Sequence, residues 1–155
     1  EIIKGIEFSD PHNDDSQMQF GLQCLDSAYG IITQRLKAEE IITTEGIVFE
    51  CGAGKCLGVE TSNDETIKLA QKQGFALVIR KDPKLGNVRI KVRPDSPIDL
   101  KPVADIMKQV DSAASWFYHQ SGKMLINGSS KHRNQKASNL PLKEIIAIIQ
   151  ATYKA

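Results

Sequence analysis

The sequence predicts an α/β (α+β) protein: one mixed sheet of about five short strands, a long N-terminal amphipathic helix, and two to three further helices packed on the sheet. Three observations carry this. Met18, Leu22, Leu25, Tyr29, Ile32 and Leu36 recur at spacings of 4, 3, 4, 3 and 4, which is the apolar stripe of a long helix. Ile47 to Cys51 and Cys56 to Glu60 flank a glycine-bearing turn, as the arms of a hairpin do. Val88, Ile90 and Val92 alternate with Arg89, Lys91 and Arg93, the period of a half-buried strand. A chain of 155 residues buries one core at the common size of a single domain. The expected division is a linker segment and long helix over 1–43 and an α/β domain over 44–155.

In chain order, Glu1 to Phe8 reads as a short extended or linking segment ending at Asp10-Pro11. It resembles the middle of a polypeptide, so the expectation is a fragment of a longer protein, or a processed one. His12 to Asp15 cap the long helix, with Asp14 and Asp15 on its positive end. A His beside two acids also suggests metal ligation, but adjacent residues at a helix start point in different directions and no second ligand cluster is visible. The helix runs to about Ala38 or Thr43, and its seam is expected to lie on the sheet that follows or on a neighbouring domain. Ser62 and Glu65 form a capping-box signature for a short helix stopping at Gly74. Phe75 to Ile79 is a continuous apolar run, read as a central strand, and Asp82 to Asn87 turns the chain into Val88 to Val92. Asp99 caps a helix from Leu100 whose inward face is Val103, Ile106, Met107 and Val110. Ala113 to His119 reads as a second helix or a bend, with Trp116, Phe117 and Tyr118 as core and interface fill. Met124 to Ile126 form a buried strand, and Pro141 opens a final helix.

A net charge of +1 removes whole-molecule attraction to nucleic acid as the main argument and leaves local basic patches. No apolar run approaches the roughly 18 residues that span a bilayer, and no signal-peptide pattern opens the chain, so no membrane partner and a cytoplasmic location are expected. Cys24, Cys51 and Cys56 are an odd number in no metal-ligand array. Cys51 and Cys56 face each other across the hairpin, where small buried hydrophobes in a reducing compartment are the favoured reading over a disulfide or metal pair. Gly52-Ala53-Gly54-Lys55 fails as a phosphate loop: position 49 is Phe where a Walker motif needs Gly, and Cys56 stands where it needs Ser or Thr. It is a turn.

Two stretches point to an anion. Arg89, Lys91 and Arg93 place three like charges on one face of a strand with no acid alternating among them, and the alternative is a solvated face or a protected edge. From Asn127 to Asn139 no apolar side chain exceeds Ala137, and unstructured loops longer than about 12 residues are usually functional or disordered. Gly128, Ser129 and Ser130 offer backbone N–H groups there, while Lys131, His132, Arg133 and Lys136 add charge. The competing reading is an Asn-Gly turn followed by a solvated linker.

The order of these elements resembles a family. A strand pair ending in Asn87-Val88-Arg89-Ile90-Lys91-Val92-Arg93, then Asp99-Leu100 and a helix, then a Gly/Ser loop with His132-Arg133-Asn134, looks like the C-terminal substrate-binding domain of DHH-family phosphoesterases. It is also similar to the related metal-dependent hydrolases that include a mitochondrial RNA exonuclease. The likeness covers roughly Phe75 to Ile149. Where the family has a glycine run before its His, this chain has Asn127-Gly128-Ser129-Ser130-Lys131, so Gly128 and His132 match closely, and Arg133 and Asn134 match one loop variant. Asp-His-His, the family's metal-binding signature, is absent from the sequence.

The resemblance implies a substrate-binding domain for a phosphorylated small molecule or short nucleic acid. Arg89, Arg93, Gly128, Ser129, Ser130, Lys131, His132 and Arg133 would form the site, with no catalytic or metal-ligating residue in this chain. It further implies a metal-bearing catalytic domain upstream as partner, holding manganese or magnesium. A second reading is a regulatory or dimerisation module whose long helix, Gln17 to Ala38, docks a partner, a homodimer included. A third is a self-contained enzyme in which His12, Asp14, Asp15 and His119 converge.

Overall fold

The computed structural model describes residues 2–128 and 134–154. The elements are α1 (Ile2–Ser9), α2 (Asp14–Thr44), β1 (Ile47–Cys51), β2 (Gly54–Glu60), α3 (Glu65–Lys72), β3 (Leu77–Lys81), β4 (Val88–Val92), α4 (Lys101–Val110), β5 (Trp116–Tyr118), β6 (Met124–Asn127) and α5 (Leu142–Thr152). The protein is α+β, with one mixed sheet of six strands ordered β1-β2-β3-β4-β6-β5. Strands β2 and β3 are parallel and the other neighbours antiparallel. The chain divides into two compact units, Glu1–Lys37 and Ala38–Ala155.

In the first unit, the stretch expected to be extended is the helix α1. Ile3 approaches Gly21 of α2, where an added Cβ would lie 3.9 Å from its Cδ1. The propensity penalty of a β-branched residue in a helix is only a few tenths of a kcal/mol, so Ile2 and Ile3 do not forbid it. His12 takes φ 63° in the turn between the helices. The Asn13 side chain caps α2 by accepting the Ser16 N–H at 3.1 Å, and Asp14 and Asp15 fill the first turn. The six apolar residues of the α2 seam, whose expected partner is the following sheet or a neighbouring domain, are 55–73% exposed within this chain.

In the second unit the sheet carries a core on each face. On one, Leu77, Ile79, Ile90, Val92 and Leu125 pack with Val103 and Met107 of α4 and Ile145 and Ile149 of α5. On the other, Leu57 and Val78 pack with Ile67 and Ala70 of α3, Phe75, and Ile42 near the end of α2. Each fully buried side chain of this size contributes about 1.5–3 kcal/mol. Gly58 lets α5 sit close on β2, since a Cβ there would lie 2.6 Å from Ile146 Cδ1.

Two local expectations change, at β5 and at the start of α3. Trp116 to Tyr118 form the edge strand β5, paired with β6 through Trp116↔Asn127, rather than a helix or bend, which raises the strand count to six. The Trp116 Nε1–H donates to Asp111 at 3.0 Å, tying the strand to the end of α4. At α3 it is Asn63, not Ser62, whose side chain accepts a first-turn N–H, that of Glu65 at 3.0 Å. Cys51 and Cys56 are buried free thiols with Sγ atoms 3.3 Å apart, and burial followed by the neighbouring Cys51 pushes the Cys56 thiol far up.

At the end of the sheet near the β5–β6 turn, Asp99 Oδ1 accepts the Lys101 N–H at 2.7 Å and the Tyr118 hydroxyl at 2.8 Å, which starts α4. The Tyr153 hydroxyl donates to the Asp99 carbonyl. Burial, with help from the Asp99 charge, pushes the Tyr153 phenol up to about 12. No helix among the described residues is long and apolar enough to cross a membrane.

Candidate functional site

Strands β2 and β3 run parallel with α3 as their crossover, and ligands in α/β sheets favour the carboxyl ends of such strands. At that edge a polar cavity of about 100 Å3 is lined by Asp64, Arg80, Asp82, Asn87, Arg89 and Gly128, among others. At about 10–15 Å3 of such space per water, the cavity has room for a group the size of a phosphoryl.

The β3–β4 register sets Arg80 directly opposite Arg89. At this position the neighbouring strand supplies a second cation to the basic face of β4. Arg80 is 7% exposed. Its Nη1 donates to the Thr61 carbonyl at 3.1 Å, and its Nη2 lies 3.0 Å from Asp64 Oδ1. Arg89 Nη1 lies 3.4 Å from the same Asp64 oxygen. Two guanidiniums therefore share one carboxylate oxygen, on a side chain that is itself 68% exposed. Among the described residues the Nε–H groups of both arginines are buried without an acceptor. Burial pulls the Arg80 guanidinium below the ordinary arginine value, and Arg89 acts the same way against the opposing pull of Asp64 and Asp82. A buried donor left unpaired costs about 1–3 kcal/mol.

The rest of the wall is fixed by backbone. Asp82 Oδ1 accepts the N–H groups of Lys84 and Leu85 at 2.8 and 2.9 Å, which shapes the β3–β4 turn. Gly128 has φ 67°, and a Cβ there would lie 2.6 Å from Asn87 Oδ1, so a side chain at 128 meets both strain and the cavity wall.

Asn127, just before Gly128, is fully buried and clamps the base of the loop. Its Nδ2 donates to the Ser115 and Lys136 carbonyls at 2.9 and 3.0 Å, and its Oδ1 accepts the Ser138 N–H at 2.7 Å. Lys136 and Ser115 bond again through backbone at 3.0 Å. The described end of the long loop is thus tied to the sheet.

Of the residues expected at the site, Arg89 and Gly128 line the cavity. Ser129, Ser130, Lys131, His132 and Arg133 lie outside the described residues. Arg93 is not brought to the cavity: it sits four residues beyond Arg89, about 13 Å at roughly 3.3 Å per residue, and its Nε donates to Asp95 at 2.9 Å. Sequence reasoning missed Arg80, Asn87 and Asp64. Arg80 closes an apolar run and reads as a strand terminus, and only the register with Arg89 gives it a role.

Among the described residues no group of three or more His, Cys, Asp or Glu stands as metal ligands do. No family model matches the chain, and no curated protein matches it.

Proposed function

We propose that this chain is a substrate-binding domain that holds a phosphate-bearing molecule, a nucleotide or short oligonucleotide, by one phosphoryl group at the Arg80–Arg89 cavity. The observation that carries the reading is Arg80: an arginine 7% exposed, set opposite a second arginine, with a single carboxylate oxygen shared between them. Arginine pairs recognise phosphate through several charge-assisted bonds at once. The small cavity fits the charged head of such a ligand, leaving its remainder on the surface next to Gly128, where the sequence continues into Ser129-Ser130-Lys131-His132-Arg133. The resemblance to the substrate-binding domain of DHH-type phosphoesterases supports a phosphoester as the ligand and assigns bond cleavage to a separate metal-bearing domain. On this reading the chain holds and does not cut.

The two arginines at the ends of β4 test the placement against general basicity. Arg89→Gln should weaken binding of a nucleoside 5′-monophosphate by about tenfold or more, the loss of one charge-assisted hydrogen bond or two. Arg93→Gln removes the same charge and should leave affinity within about twofold, since Arg93 lies outside the cavity. Equal losses in both variants would mean that the basic face attracts anions diffusely and that the cavity is not the site.

A further inference from the structure

The exposed seam of α2 has a regularity that a helix covering a sheet does not need. Met18, Leu25 and Ile32 recur every seven residues, and so do Leu22, Tyr29 and Leu36, along one unbroken helix. A strict seven-residue apolar repeat is the seam of a left-handed coiled coil, in which the three-residue and four-residue steps alternate as d and a positions. All six side chains remain 55–73% exposed, although Ile3 of α1 packs beside Gly21 at the edge of the stripe.

We infer that α2 pairs with α2 of a second copy of this chain as a parallel, two-stranded coiled coil whose seam runs over residues 18–36, ending before Glu39, the next d position. The flanking positions choose both the partner and its direction. Taking Leu22, Tyr29 and Leu36 as a, the g positions are Gly21, Ala28 and Arg35, and the e positions are Gln19, Asp26, Thr33 and Glu40. In a parallel pair each g residue meets the e residue five places later in the other copy, so Arg35 meets Glu40 and Asp26 meets Gly21. One pair is of opposite charge and none is of like charge. An antiparallel pair in the register that matches all six seam residues would instead set Asp26 against Asp26 and Arg35 against Gly21. Small residues at Gly21 and Ala28 let the backbones approach. The seam matches itself, so a second copy is the partner that this surface fits. Three heptads are near the lower limit for such an assembly, and the dimer is expected to form in the micromolar range.

Sedimentation equilibrium of the whole chain across low to high micromolar concentrations should show a reversible monomer–dimer equilibrium. Leu25→Glu, at an exposed d position of the first unit, should weaken association by about a hundredfold or more while the circular dichroism of the sheet is kept. Arg35→Glu should weaken it several-fold, and Arg35→Glu combined with Glu40→Arg should restore it. For direction, Leu22→Cys in a Cys24→Ser background should cross-link to a covalent dimer on mild oxidation, since a positions meet only in the parallel arrangement. A monomer at every concentration, a trimer or tetramer, unchanged association in Leu25→Glu, or failure of Leu22→Cys to cross-link overturns the proposal.

Discussion

Replacing Arg80 with methionine separates holding a ligand from holding the fold. Methionine keeps most of the aliphatic stem of this residue, 7% exposed, and removes the guanidinium, which donates to the Thr61 carbonyl at 3.1 Å and to Asp64 at 3.0 Å. For the fold, the loss of the Thr61 partner costs about 1–3 kcal/mol, and relief from burying a cation offsets part of it, so net destabilisation should stay at or below about 2 kcal/mol. For the ligand, two charge-assisted bonds from Arg80 to a phosphoryl group at about 1.5 kcal/mol each amount to about 3 kcal/mol, a loss of roughly a hundredfold in affinity. Isothermal titration with inorganic phosphate and a nucleoside 5′-monophosphate gives the second number, and urea denaturation gives the first. If Arg80 serves only to anchor Asp64 and the start of α3, the variant loses stability and binds phosphate as the wild type does. That outcome refutes the reasoning.

Asp64 should behave as a competitor for the site, because its exposed carboxylate occupies both arginines; Asp64→Asn is expected to tighten phosphate binding by up to about fivefold, the worth of an exposed ion pair, and weaker binding in titration would contradict this. Asn127→Ala leaves the Ser115 and Lys136 carbonyls and the Ser138 N–H without their partner, so urea denaturation should show a loss of about 3 kcal/mol or more; a loss under about 1 kcal/mol would mean that the clamp is dispensable. Tyr153, raised by burial to about 12, is held neutral by the fold, so its contribution is present below its unfolded value of about 10 and is lost as pH rises from there toward 12. Wild-type stability should therefore fall more steeply above about pH 10 than that of Tyr153→Phe, and parallel curves would count against it.

The parts of the fold that the sequence made legible are those with a clean period. The alternation of Val88, Ile90 and Val92 identified β4 and its basic face, and the 4-3-4-3-4 stripe identified α2. What failed had short or mixed signals. Trp116 to Tyr118 is a three-residue strand held by its partner β6, so nothing local marks it. Ile2 to Ser9 begins with two β-branched residues, and its helix packs Ile3 near Gly21. The candidate site was half legible for a similar reason. Arg89 and Gly128 stood out by composition, whereas Arg80 and Asp64 acquire meaning only from the strand register and the α3 crossover, which are tertiary facts. Arg93 shared a face with Arg89 in the pattern, yet pattern carries no information on which end of the strand the loop approaches.

The most direct test of the central claim is to watch the arginine side chains themselves. In 1H–15N spectra that resolve the guanidinium Nε–H groups, titration with inorganic phosphate should move the Arg80 and Arg89 resonances together along one saturable curve, while Arg93, bonded to Asp95, stays in place. Resonances of Arg80 and Arg89 that do not move, or an Arg93 that moves with them, would contradict a phosphate site built on this pair.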